Sequence, residues 1–208
     1  SEETEDIYLT LEELEKIKHL KLGARLDNAR DWLIISCFTA QRISDFSRFS
    51  ADNIFEYEGQ ELLQFQQKKT GKRVILPILP EVRQLLDKRN GSFPRKISDQ
   101  KYNDYIKEVC QLAGITEVVY GGKMVNVGTD QNPVHRKKKG RYSKYELVTS
   151  HIGRRSFATN YYGKIPTPLL MSATGHSSEK QFLDYIKRDP IDNALMLAKM
   201  FSKMNENE

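Results

Sequence analysis

Near the C-terminal end, in SATGHSSEKQFLDYIK, a histidine follows a glycine at position 176 and a tyrosine stands nine residues later, at 185. A tyrosine is a poor nucleophile unless its surroundings help: with a pKa of ~10, about one in a thousand is ionised at pH 7, a handicap of roughly 4 kcal/mol. Cations and imidazoles able to offset it lie far away in the chain. His151 and Arg154 stand three residues apart in HIGRRSFATN, so both project from one face of the first turns of a helix. There the backbone N–H groups and the helix dipole already favour an anion such as a phosphate. Arg42, in TAQRISD, and Lys69, in KKTGK, extend the set. An arginine offers fixed bidentate donors to the charge that a phosphate gathers in its transition state, and a lysine whose pKa is lowered by neighbouring cations can hand a proton to a departing oxygen.

Each of these residues also has a plainer use. A tyrosine in a helix commonly packs in a core or an interface, His151 can satisfy a buried carbonyl, and Arg154 can pair with an acid. The weight lies on whether the elements between them could bring the set together.

Those elements are legible from local signals. Thr10 and Glu13 make a capping box with a Leu9–Leu14 staple, which predicts a helix from residue 11. NARDWLIISCFTA predicts a strongly buried second helix ending near Gln41, so that Arg42 falls at a junction. Three short strands follow, at 53–57, 61–67 and 73–78, with turns at Glu58-Gly59 and Thr70-Gly71 and Lys69 at the second turn. Pro80 opens a helix to Lys88, and Ser98 caps another that buries Tyr102 and Tyr105. EVVYGGKMVNVGTDQNPVH is compatible with a hairpin about Gly121-Gly122 or with a mobile loop. Ser150 is placed to cap a helix from His151 to Gly163, a shorter helix follows Pro168 and stops at Gly175, and Ser177 or Ser178 caps the helix bearing Tyr185. Asp189-Pro190 restarts the chain in a last helix whose Ile191, Ala194, Leu195, Ala198 and Phe201 form one stripe, expected to pack on its own domain in the isolated chain.

The totals set bounds. The 208 residues suit one domain with a proper core, and the absence of an 18-residue apolar stretch excludes a spanning helix. Cys37 and Cys110 sit in apolar helical patterns without metal-ligand spacing, as buried reduced thiols do. A net charge of +5 is a weak pointer to an anionic partner, but RKKKGRYSKY concentrates Arg136, Lys137, Lys138, Lys139, Arg141 and Lys144 without an acid. This is either a solvated loop or a segment that tracks phosphates.

Arg42 after a buried helix, Lys69 at a β-turn, His151 and Arg154 opening a later helix, His176 behind a glycine and Tyr185 nine residues on occur in one order over most of the chain. This ordered set resembles the catalytic domain of the tyrosine recombinases, the integrase family of phages and mobile elements. H-x-x-R alone is common; the set is specific. The family pattern is not met cleanly: Ala40 stands where a glycine is usual, with Gln41 between it and Arg42, and Lys68 and Lys72 compete with Lys69, preferred because it directly precedes Thr-Gly.

The resemblance implies an α+β fold, mainly α-helical with a small three-stranded antiparallel sheet. It implies that residues 1–208 are a catalytic domain, the C-terminal part of a longer integrase. Arg42, Lys69, His151, Arg154 and His176 would surround one phosphate of double-stranded DNA, with Tyr185 the nucleophile that forms a 3′-phosphotyrosine and Asp45 an orienting group. Lys69 is assigned the proton for the departing 5′ oxygen; His151 accepts the tyrosine proton or supports the phosphate, and His176 donates to it, with the division between the histidines left open. No cofactor is implied, neither metal nor ATP, since two guanidiniums and an ammonium supply the charge a metal would and the phosphotyrosine stores the energy of the cleaved bond. Residues 190–208 are a candidate docking segment in a tetrameric synapse on DNA, and a cytoplasmic, bacterial, DNA-associated setting follows, with no membrane. Relaxation of supercoils by the same chemistry, as in type IB topoisomerases, and a non-catalytic DNA-binding module of the same fold are the alternatives.

Overall fold

The computed structural model describes residues 7–186 and 190–206. Its centre is a helix wrapped on all sides. After α1 (Leu11–Lys18), whose Thr10–Glu13 capping box forms in both directions, α2 (Ala24–Thr39) buries nearly every residue from Leu26 to Thr39. A helix buried nearly all round belongs in the middle of a fold; α2 is flanked by α1, α4 (Pro80–Lys88), α5 (Asp99–Leu112) and α7 (Ile152–Tyr161), and its buried Arg30 and Asp31 pair with each other. The closest approach is to α7 at Gly153, where an added Cβ would lie 2.8 Å from the backbone carbon of Ser36. A short helix, α3 (Ile43–Phe46), turns the chain beyond α2, and Trp32, Phe46 and Tyr102 pack at ring separations of 5.5–5.7 Å.

The meander β1 (Ile54–Tyr57), β2 (Gln60–Gln66) and β3 (Arg73–Pro77) pairs antiparallel in sequence order. Glu58 and Gly59 both have positive φ, 48° and 74°, as a tight hairpin turn requires. Leu63 opposes Leu76 and Phe65 opposes Val74, all four buried, so one face of the sheet joins the core. The Ser98 cap and the proline start of α4 form as the sequence predicts, and Tyr102 is buried while Tyr105 is partly so.

Three local expectations are corrected. The ribbon β4 (Val118–Asn126) and β5 (His135–Ser143) runs straight through Gly121-Gly122, which face Gly140 and Lys139 in mid-strand, and turns at 127–134 instead. The glycines mark close approach rather than a turn: an added Cβ at Gly121 would press into the Leu147 side chain, and one at Gly122 would lie 3.0 Å from Lys137 Cγ. Ser150 does not cap α7. Its N–H is held by Asn103 Oδ1 at 2.8 Å, and His151 occupies the cap position without a side-chain bond. After α6 (Lys144–Leu147), α7, α8 (Thr167–Thr174), closed by Gly175 at φ 71°, and α9 (Glu179–Ile186), started by Ser178, comes α10 (Pro190–Asn205). The apolar stripe of α10 is covered by its own domain only in part: Leu195 and Met196 line a cleft with Tyr162 and Gly163, but Ile191, Leu195 and Phe201 are 57–67% exposed and no residue of α10 is buried. Asp189, the expected cap, lies outside the described residues.

Candidate active site

The site grows where the C-terminal end of α2 meets the N-terminal end of α7. Ala40 closes α2 in the left-handed region, φ 61°, and its carbonyl oxygen accepts a bond from Arg154 Nη1 at 3.3 Å. Arg42, half-buried, is the N-cap of α3 and points the chain away from α2. Asp45, one turn into α3, is buried; its Oδ1 accepts from the backbone N–H of Lys68 at 2.8 Å and from Arg48 at 3.1 Å. The first arginine motif is thereby tied to the lysine-bearing turn.

Arg154 is 3% exposed on α7. Burial and then the charge of Arg42 pull its pKa down to about 10, while Tyr185 and Asp45 oppose the shift. It stays protonated at neutral pH, and among the described residues neither Arg42 nor Arg154 forms an ion pair with a carboxylate. Two like charges held this close, one desolvated, make a site that favours an anion. His151 keeps an open face to solvent, yet crowding by protein and then Arg42, Arg155 and Arg154 lower its pKa, so it is neutral at pH 7. His176, half-buried just after Gly175, is pushed down to about 4 by burial, Arg154 and Arg42. Its Nδ1 lies 2.7 Å from Thr174 Oγ1, and its ring stands 5.0 Å from that of Tyr185. The Tyr185 hydroxyl is shielded from solvent.

Arg42, His151, Arg154, His176 and Tyr185 therefore converge, although they lie on α3, α7, α9 and the turns between. No protein-family model matches the chain, and no curated protein does. Solved structures share its fold at low sequence identity. A XerA recombinase superposes with a TM-score of 0.61 over 98% of this chain and 65% of that one, at 15% identity. XerH site-specific recombinase bound to a palindromic difH substrate, in a post-cleavage complex, gives 0.58 over 92% and 53% at 18% identity. The lambda integrase catalytic core gives 0.50 over 81% of this chain and 91% of that one, at 17% identity. The chain has the tyrosine recombinase catalytic-domain fold. It spans about half to two thirds of the XerH and XerA chains.

Within the tyrosine recombinase fold the remaining expected residues are placed unequally. Lys69 is exposed in the turn at 68–70, while Lys72 lines a groove with Gln67, Gly175 and His176. Arg136, Lys137, Lys138, Lys139 and Arg141 lie exposed along β5, on a strand rather than in a loop. Strand alternation sends Arg136 and Lys138 to one face and Lys137, Lys139 and Arg141 to the other. Lys144 leaves this basic ribbon altogether. It is buried in α6, 2.7 Å from Glu13 and 3.0 Å from Glu117; burial would lower its pKa, but those bonds outweigh it and hold the pKa up.

One neighbour of the tyrosine was not legible. The Arg155 guanidinium carbon sits 4.6 Å from the centre of the Tyr185 ring, and its Nη1 donates to the Tyr185 carbonyl at 3.1 Å. The Arg-Arg doublet was its only trace in the sequence.

Proposed function

We propose that this chain is the catalytic part of a site-specific DNA recombinase of a mobile element, which cuts and rejoins strands through Tyr185 without metal or ATP. What supports the reading is a pair of arginines without carboxylate ion pairs among the described residues: Arg42 and Tyr185 both lie near enough to the buried Arg154 for their charges to act on it, and the Tyr185 ring lies 5.0 Å from that of His176. Positive charge around a phenol favours its ionisation, and the same charge is complementary to a phosphodiester moving toward its transition state.

Tyr185 Oη attacks the scissile phosphorus, a bond forms between them, and the bond from phosphorus to O5′ breaks. The guanidiniums of Arg42 and Arg154 take the non-bridging oxygens. His151, neutral at pH 7, accepts the phenol proton, and His176 contributes a hydrogen bond to the phosphate. Lys69 supplies the proton that the departing O5′ needs. The products are a 3′-phosphotyrosine and a free 5′-hydroxyl, and attack by the 5′-hydroxyl of another strand reverses each step. Asp45 acts on the lysine turn through the Lys68 N–H.

The exposed ribbon of β5 tracks the duplex backbone, and α10 docks its apolar face on a neighbouring copy in a synaptic tetramer. That exposed face favours strand exchange between copies over supercoil relaxation by one subunit. The test is covalent capture on a pool of nicked duplexes of random sequence, followed by strand transfer between two labelled duplexes recovered from that pool. The wild-type chain is expected to retain DNA through denaturation, and Tyr185→Phe to bind DNA but retain none. Resealing of the original strand only would move the reading to a topoisomerase; binding without capture would leave a DNA-binding module.

A further inference from the structure

Two glutamines form an interior relay that neither the arginines nor the tyrosine explain. Gln41 is fully buried and Gln67 is 2% exposed. Gln41 Nε2 donates to the carbonyl oxygens of Thr39, at 2.6 Å, and Ala173, at 2.8 Å. Both acceptors are carbonyls, which cannot donate, so the amide has only one orientation and Gln41 Oε1 must face the other way. There it accepts from Gln67 Nε2 at 3.4 Å, which in turn directs Gln67 Oε1 to the Thr70 hydroxyl at 2.8 Å. The backbone of Gln67 closes the same turn, its N–H bonding to Lys72 O and its carbonyl accepting from Gly71, both at 2.9 Å. An added Cβ on Gly175 would come within 3.1 Å of Gln67 Nε2, so the segment leading into His176 lies against the relay as well.

The relay thus touches three separate site segments. Gln41 precedes Arg42, Ala173 lies three residues before His176, and Thr70 follows Lys69. We infer that Gln41 and Gln67 are positioning residues that hold the Lys69-bearing turn at a fixed distance from the arginine–histidine cluster, so that the lysine's proton reaches the leaving oxygen. This rests on the recombinase reading above. Buried amides are suited to the task because a misplaced turn would leave one of them without partners, a cost that a purely apolar contact would not impose.

The experiment compares two versions of one nicked duplex, first selected from a random pool by covalent capture with the wild-type chain. One carries the ordinary bridging oxygen at the cleaved bond, the other a bridging 5′ sulfur. A thiolate leaves without being protonated, so the sulfur substrate does not need the lysine. Gln67→Leu is expected to slow cleavage of the oxygen substrate about 10- to 100-fold and of the sulfur substrate less than about threefold. Thr70→Val, at the exposed end of the relay where the core is not disturbed, should show the same sulfur-selective pattern at smaller amplitude. Equal slowing of both substrates by Gln67→Leu and by Thr70→Val, or no slowing of either, overturns the relay while leaving Tyr185 as nucleophile. Failure of the wild-type chain to capture any duplex from the pool overturns the recombinase reading and the relay together.

Discussion

The α2–α7 cradle and the two outer elements, the β4–β5 ribbon and α10, solve opposite problems. In the cradle the close contacts are interior ones: Gly153 lets two backbones meet, Ala40 offers its carbonyl to Arg154, and Gln41 spends both amide hydrogens on buried carbonyls. The ribbon and α10 keep their chemistry outward, five cations along β5 and the large apolar side chains of α10. On the proposed reading, a set of charges can act on one phosphate only if its members cannot drift, whereas a surface that meets another molecule has to stay largely open to solvent. The contrast would then separate what the domain needs in order to fold from what it offers in order to bind.

Substituting glycine in each region should break the symmetry most visibly. Gly153→Ala drives a methyl against the Ser36 backbone, which no rotamer change relieves, and should cost about 1–3 kcal/mol or more, seen as a large fall in the thermal midpoint. Gly121→Ala meets only the flexible Leu147 side chain and should cost well under that. Similar losses at both positions would erase the distinction between cradle and ribbon.

Acidification should come next. The folded pKa of His176, about 4, lies below the ordinary value of 6.5, and that of His151 is lowered too. The unfolded chain therefore binds more protons between those values, so the stability contributed by the neutral imidazoles is complete above about pH 6.5 and is lost as pH falls toward 4. Inorganic sulfate should reduce this loss by placing negative charge among Arg42, Arg154 and the histidines, and raise the His176 pKa in an NMR titration. A His176 titration unmoved by sulfate would argue against a shared anion pocket.

The outer elements should respond without unfolding. Leu195→Asp with Phe201→Asp on α10 is expected to leave the thermal midpoint of the isolated chain nearly unchanged and to prevent assembly of several copies on DNA, read by sedimentation. On the ribbon, neutralising Lys137 and Lys139, which share a face, should lower the slope of log affinity against log salt by about 1.8 if both contact phosphates. Neutralising Arg136 and Lys138 tests the opposite face; equal slopes for the two pairs would mean the ribbon enters a groove rather than lying on one face against the backbone.

What the sequence disclosed follows from how local each cause is. The Thr10–Glu13 box, the proline start of α4 and the glycine stop at 175 are set by residues within a turn of one another, and each formed as read. That Arg42, His151, Arg154, His176 and Tyr185 should lie near one another could be expected only because, with Lys69, they form a specific ordered set. Lys144 shows where such reading stops: it belongs by composition to a basic run, but its position is decided by Glu13, 131 residues earlier. The glutamine relay, the stacking of Arg155 on Tyr185 and the uninterrupted strand through Gly121-Gly122 were invisible for the same reason, since each depends on a partner brought near only by the fold.

The most direct measurement is peptide mapping of the chain after reaction with a captured duplex bearing a bridging 5′ sulfur, which prevents resealing. The account predicts DNA attached to the peptide containing Tyr185 through its phenolic oxygen, and no adduct from Tyr185→Phe. Attachment to any other residue, or an adduct that survives Tyr185→Phe, would contradict it.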